Sequence, residues 1–508
     1  MGSGKVQRAA WIDCGSARGS AVSAPFPVIE QVPGALNDEA RERASRVARD
    51  LLEADPCLPV TEPFGEGLRT GLDPGPCFFI EDHHGIRLFE NRGNLAYAYR
   101  ALLLARPGDV AVIGGPRSLA FERYCAETLG LGEVEVLEPA EPPAGDSLAA
   151  RCARDPMVVE RLAAHARRHG GLNVVPYMGT GGVWALAGVV AARSGAPVRV
   201  AAPPPQLARC VNDKIWFKDC VDRLIGTRAV PAAWPASGSA MLTARVAALA
   251  RSHASVVVKL PDSASSKGNL VLDAALLAGQ PLSRLRRHLL ALMRRAGWQD
   301  EFPVLVSAWE KPVLASPSVH LWIPEAGAGD AIVEAVFDQH LLGAGGEFAG
   351  AAPSALPLVW QRRLAGEAAL LGALFQRLGY FGRCSFDAIL VGPDLDRALL
   401  HWIECNGRWG GVSLPLTLAS RLFGDWRRRP FVIQERSDLR GPPQDFADIL
   451  ARLAGHLYVA GGGPVGAVIL APWPLETGTG YELMVFDSDV ELASERARRV
   501  GECIGESR

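Results

Sequence analysis

No stretch of this 508-residue chain reaches membrane-spanning length without a charge or a Gly/Pro interruption, and MGSGKVQRAAWIDCGSARGS has no apolar core of a signal peptide. These absences predict a cytoplasmic protein with no membrane partner. Net charge is nearly absent too: a formal -2 and a pI near 6.6 give no general attraction for nucleic acid or anionic lipid, so any basic patch has to be local. The ten cysteines include no C-x-x-C pair and no Cys/His spacing suited to zinc, which excludes a disulfide scaffold and points to inert thiols in a reduced compartment. Nor is there a repeat of fixed period or a long low-complexity tract. What the chain does hold is apolar material, 48% of it, enough for the cores of two to four domains.

Residues 1–60 carry scattered proline and one helix, NDEARERASRVARDLLEAD, whose Asn37 suits an N-cap; they read as an N-terminal extension. Over 61–205 strand and helix alternate: CFFIED, a helix around NLAYAYRALLLA, DVAVIGG, a helix from Ser118 to Leu129, VEVLEP, NVVPYM and VRVAAPPPQ. That rhythm predicts a parallel, doubly wound layer ending at Pro203–Pro205. The turn GTGGVWALAG lacks the third glycine of a dinucleotide fingerprint, because Trp184 stands there; its glycines, like Gly114 and Gly115, read as turn residues with positive φ. Glu81, Asp82, His83 and His84 resemble a metal cluster, but neighbouring side chains on a strand point opposite ways, so a polar loop is the better reading.

Residues 206–308 open with NDKIWFKDCVDRLIG, a helix with Lys214 and Lys218 on one face. SVVVKLPDSASSKGNLVL then predicts a hairpin: a β-branched strand ending in Lys259, half buried, and a Ser/Gly loop able to bend over a triphosphate. Over 309–430, antiparallel strands covered by helices on one face are expected. Its last strand, LLHWIECNGRWGG, places Glu404 and Asn406 two apart and therefore on one face. With Asp387 of FDAILVG they offer three hard oxygen ligands, a site for magnesium held against phosphates. Residues 431–508 read as a small αβ cap of one helix, two strands and a closing helix. The fold class is thus α/β and α+β, multidomain.

In this order and spacing, NDKIWFK, VVVKLPDSASSKG and ECNGRWGG resemble the nucleotide lysines, phosphate loop and metal strand of the ATP-grasp carboxylate-amine ligases. AYAYRALLLARPGDVAVIGGP resembles a pre-ATP-grasp domain, and SPSVHLWIP with FDQHLLG resembles the subgroup typified by the pheganomycin peptide ligase. The resemblance implies ATP and Mg2+ as cofactors. Lys214 and Lys259 would hold the α- and β-phosphates, Ser265, Ser266 and Gly268 would fold over the γ end, and the hinge at Ala308 and Trp309 would offer backbone atoms to adenine. Asp387, Glu404 and Asn406 would bind magnesium, and Arg383 and Arg408 would face an acyl phosphate. The chain departs from the wider family at Ser307, where an acidic residue often starts the hinge, which leaves the usual adenine contact open, with or without Glu310 as a substitute.

A carboxylate does not join an amine in neutral water until it is activated, and transfer of a γ-phosphoryl group does this with little covalent help from protein. The implied partners are an amino acid or guanidino acid donor and a peptide acceptor; a homodimer is left open. Gln339 and His340 are candidate substrate residues, with Asp338 or His340 as the base and the departing phosphate as a rival for that role. Arg427 to Arg429 would either line a peptide groove or form a solvated charge run, with the latter slightly favoured. Joining two free amino acids, phosphorylating a small molecule on the same frame, and sensing ATP without turnover are the competing functions.

Overall fold

Cys77, Phe78, Phe79 and Ile80 are all buried, so the strand they form must be covered on both faces. In the computed structural model, which describes residues 26–84, 86, 97–140, 146–260, 268–343, 345–437 and 439–505, that strand is central to a six-stranded parallel sheet. The strands are β1 (Arg69–Thr70), β2 (Cys77–Ile80), β3 (Val110–Val112), β4 (Glu135–Leu137), β5 (Leu172–Pro176) and β6 (Val198–Val200), in the order β1-β6-β5-β2-β3-β4. Phe78 and Ile80 join a core with Leu162 and Trp184, while Cys77 and Phe79 join another with Tyr99 and Phe121. This is the doubly wound layer that the strand–helix rhythm predicts.

Three local expectations change. Residues 94–96 of the expected NLAYAYRALLLA helix lie outside the described residues, and Arg100–Leu104 forms a 3-10 turn, because the Ala101 N–H donates to the Glu81 carboxylate instead of to a carbonyl four residues back. The Ser118–Leu129 helix is α only over Leu119–Arg123 and widens to a π turn over Tyr124–Thr128. The glycines at 179, 181 and 182 do not adopt positive φ; a Cβ at Gly179 would lie 2.5 Å from the Pro203 carbonyl oxygen, so close approach of two backbones selects glycine there.

A second sheet of β7 (Ala233–Ala236), β8 (Ser255–Lys259), β9 (Asn269–Asp273) and β10 (Val304–Ala308) is antiparallel in the order β7-β10-β8-β9. The β8–β9 pair is the hairpin expected around Lys259, with Lys259 opposite Asn269.

The third sheet has nine strands: β11 (Val313–Ala315), β12 (Pro317–Ile323), β13 (Ile332–Leu342), β14 (Glu347–Pro353), β15 (Gly382–Val391), β16 (Leu399–Asn406), β17 (Phe431–Arg436), β18 (Gly466–Ile469) and β19 (Tyr481–Phe486). Helix Leu358–Arg377 packs Leu364, Ala365 and Ala368 over Val319, Leu321 and Val333 on one face. Helix Asp38–Ala54, capped by the Asn37 side chain as expected, adds Ala44, Val47, Ala48 and Leu51 to the same core. This part of residues 1–60 is therefore built into the packing. FVIQER, a third strand beyond the two expected in residues 431–508, is β17; it pairs with β14 at Gly350–Gln434 and Ala351–Ile433, so the C-terminal strands continue the central sheet. A Cβ at Gly350 would lie 2.1 Å from the Ile433 carbonyl, which is why glycine stands at that junction.

Candidate functional site

The face of the nine-stranded sheet away from helix Leu358–Arg377 carries polar side chains in two rows. Asp387 on β15 lies opposite Glu404 on β16 and Ser318 on β12; one step along, Ser385 lies opposite Asn406 and His320. Directly opposed residues share a face, so these six side chains converge while the alternate residues, among them Val319, Leu321, Cys384 and Phe386, enter the core. The expectation that Glu404 and Asn406 leave on one face with Asp387 is met by this register.

Charge is concentrated in the first row. Ser318 Oγ donates to Asp387 at 2.6 Å and Asn406 Nδ2 donates to its other oxygen at 2.9 Å. Burial, then the neighbouring Glu404, raises the Asp387 carboxyl above its ordinary range, against those hydrogen bonds. Burial also works against the charged form of Glu404, but Lys214, whose Nζ is 3.0 Å away, and Lys259 hold it below the usual range. Lys259 itself is 7% exposed, and burial lowers it to about 8, with Glu404 opposing and Lys214 reinforcing the shift. The lysine expected to be half buried is thus fully so. Arg408 Nη2 donates to Asn406 Oδ1 at 2.7 Å, its Nε to the Tyr177 hydroxyl at 3.3 Å, and its Nη1 to Asn212.

Among the described residues no three His, Cys, Asp or Glu side chains come close enough to hold a metal by themselves. Two carboxylates and the amide oxygen of Asn406 nonetheless form a hard-oxygen set, of the kind that shares a magnesium ion with phosphate oxygens.

The structure gathers Lys214, Lys259, Asp387, Glu404, Asn406 and Arg408, and Gln339 hydrogen-bonds Asp387 from β13. It does not gather the rest. Arg383 lies further along β15, opposite Trp322, where it is buried against Glu334, bonded to Thr417 at 3.0 Å, and flanked by Trp322 and Trp409. There it balances a buried carboxylate, and its predicted approach to an acyl phosphate is corrected accordingly. His340 is exposed and alternates with Gln339 and Leu341, which face the cleft; Asp338 accepts from Ser354 Oγ at 2.9 Å and the Ala355 N–H at 3.0 Å. Neither is placed as the base. At the expected hinge, the Ala308 N–H donates to Ala232 at 2.8 Å and the Trp309 N–H to Ser255 at 3.0 Å, so both amides are committed to the sheet. Ser265 and Ser266 lie outside the described residues; Gly268, buried, accepts from the Leu260 N–H at 3.0 Å. Lys218 is paired with Asp222 and Arg427 with Asp425, the latter a solvated pair outside the cleft.

A cleft of about 120 Å3, open to solvent, runs from this face toward the carboxyl ends of β2 and β5. Tyr97, Arg100, Tyr177, His320, Phe348 and Glu435 line it, and none of them stands out in the sequence as a site residue. Tyr97 donates to Glu435 at 2.7 Å, and Arg100 joins Glu81 at 2.7 Å to Glu482 at 3.1 Å. The expected polar loop at 81–84 is mostly interior: Glu81, Asp82 and His83 are no more than 4% exposed, with His83 Nε2 3.3 Å from Glu81. The available signal was the buried strand CFFI running into these residues without a turn.

Residues 98–192 match the family model described as the Pre ATP-grasp domain. No curated protein matches the chain. Among solved structures, biotin carboxylase from Campylobacter jejuni with β,γ-ATP is similar at 11% identity and a TM-score of 0.51, over 84% of this chain and 91% of that one. The biotin carboxylase domain dimer of Hydrogenobacter thermophilus 2-oxoglutarate carboxylase, with MgADP and bicarbonate, is similar at 13% identity and a TM-score of 0.50, over 84% and 90%. An ADP complex of N5-carboxyaminoimidazole ribonucleotide synthetase gives 12% identity and a TM-score of 0.48, over 85% and 98%. At such identities the likeness is one of fold. The fold is a doubly wound pre-ATP-grasp domain followed by an ATP-grasp fold and a small αβ C-terminal cap, the cap's strands being continuous with the central sheet.

Proposed function

We propose that the protein is an ATP-dependent carboxylate-amine ligase that joins the carboxylate of an amino acid or guanidino acid to the N-terminal amine of a peptide, releasing ADP and phosphate. The observation that carries this reading is the gathering of Lys214 and Lys259 about Glu404, which lines the cleft together with Asp387, Asn406 and Arg408. Phosphoryl transfer to a carboxylate brings two anions together, and these cations lower the charge repulsion that opposes it. Lys214 and Lys259 would hold nucleotide phosphates, and Arg408, anchored by Asn406 and Tyr177, would steady the acyl phosphate and the oxyanion formed when the amine attacks. Asp387, Glu404 and Asn406 would hold magnesium, which when bound neutralises phosphate charge. The likeness to biotin carboxylases described with nucleotide and MgADP supports ATP and magnesium as cofactors. The peptide acceptor and the guanidino or amino acid donor rest on SPSVHLWIP and FDQHLLG, which resemble the pheganomycin ligase subgroup.

The test is mass spectrometry of the purified protein with ATP, magnesium, amino acid and guanidino acid donors, and short peptides, with and without hydroxylamine. A hydroxamate and a donor-extended peptide are expected, both lost in Glu404→Gln. A phosphorylated donor that resists hydroxylamine would identify a kinase instead, and full turnover in both Glu404→Gln and Lys259→Ala would overturn the placement of the nucleotide.

A further inference from the structure

His320 occupies the second polar row, beside Ser385 and one step along the strand from the row holding Asp387 and Glu404. It is 4% exposed, its ring packs edge-on against Phe337 at 5.9 Å, and neither ring nitrogen has a hydrogen-bond partner among the described residues. It also lines the cleft, with Ser385, Gln339 and Arg408. Buried imidazoles ordinarily have at least one nitrogen fixed by a neighbour, because an unsatisfied polar atom in the interior is costly. Two unpartnered nitrogens on the wall of a cleft, one row along from the cross-bonded Ser318, Asp387 and Asn406, mark a group open to a ligand.

The ligase reading leaves one task without a residue, since Asp338 and His340 face away from the cleft. We propose that His320 receives the proton shed by the amine as it attacks the acyl phosphate, an inference that rests on the ligase reading. In that step the amine lone pair forms the C–N bond and the acyl C–O bond to phosphorus breaks, its electron pair leaving with inorganic phosphate. The N–H proton passes to a ring nitrogen of His320 and is lost to water when the products depart. Burial, and after it the charge of Arg383, push the imidazole down to about 3, so the ring stands neutral and able to accept before the amine arrives. A base this weak leaves a free ammonium alone; the proton it takes is the one made strongly acidic once the new C–N bond places positive charge on nitrogen.

The two half-reactions separate this role from a structural one. Hydroxylamine is largely unprotonated at neutral pH and intercepts an acyl phosphate without help from a base. With ATP, magnesium, the twenty common L-amino acids and 4-guanidinobutyrate as donors, and triglycine and trialanine as acceptors, His320→Asn and His320→Gln are expected to keep hydroxamate formation within about twofold of wild type while amide formation falls ~100-fold. Unchanged amide formation, or hydroxamate and amide falling together in both variants, overturns the role of His320. Failure of the wild-type protein to give any hydroxamate would instead overturn the ligase reading on which it depends.

Discussion

At the scale of single residues, two arginines with the same expected role have separate fates. Arg408 follows the Glu-x-Asn strand and reaches the cleft, whereas Arg383 shares the face of Asp387 but lies four residues along β15, beneath Trp322 and Trp409. Alternation along a strand tells which face a side chain takes; it does not tell what covers that face at each step, and so Asp387, Glu404 and Asn406 were legible while Arg383 and His320 were not. Arg383→Met leaves Glu334 buried without its partner and is expected to cost about 3–5 kcal/mol in urea unfolding, with most of the loss recovered in Arg383→Met/Glu334→Gln. A stable but inactive Arg383→Met would restore its catalytic assignment. Lys259 carries the pH prediction. Burial lowers it to about 8, phosphates favour its cation, and the cation is present below that pH and lost above it. ATP affinity should therefore fall ~10-fold per pH unit above 8 until the lysine of the complex itself titrates, measured by nucleotide titration at pH 7, 8 and 9. In Lys259→Ala the same series should be flat; an equal slope there would assign the dependence to another group.

At the scale of elements, amphipathic helices were legible and their partners were not. NDEARERASRVARDLLEAD shows its cap and its apolar stripe in sequence, yet nothing in that stripe says that it seats on helix Leu358–Arg377 some three hundred residues away. Leu51→Ala is expected to destabilise the protein by ~3 kcal/mol in denaturant unfolding, since it opens a shared core. A loss below about 0.5 kcal/mol would return the segment to a dispensable extension. Two of the strands that escaped notice share a cause: β7, with its internal proline, and β14, rich in Gly and Ala, carry weak strand propensity and exist through their neighbours. The 3-10 turn at Arg100–Leu104 is the converse case, a helical pattern overridden by a buried carboxylate that takes its amide.

At the scale of the whole molecule, the order of layers was readable because strand–helix alternation and antiparallel strand runs are local patterns, but the continuity between them depends on pairing distant in sequence. β17 joins the C-terminal strands to β14, and Arg100 links Glu81, just beyond β2, to Glu482 on β19. The cleft opens where these parts meet, between the charged row on the nine-stranded sheet and Tyr97, Arg100 and Tyr177 of the first domain, with Lys259 of the second sheet close to Glu404 in that row. A cleft set among three layers would suit the proposed chemistry, whose intermediate has to be kept from water.

The measurement that tests this account most directly tracks oxygen. With a donor labelled with 18O in its carboxylate, in magnesium and ATP with its acceptor, an acyl phosphate requires one labelled oxygen to leave with phosphorus for each amide bond made. Inorganic phosphate carrying one 18O, seen by mass or by the 31P isotope shift, is the predicted result. Amide formation with unlabelled phosphate, or with the label in AMP, would contradict the reaction assigned to this cleft.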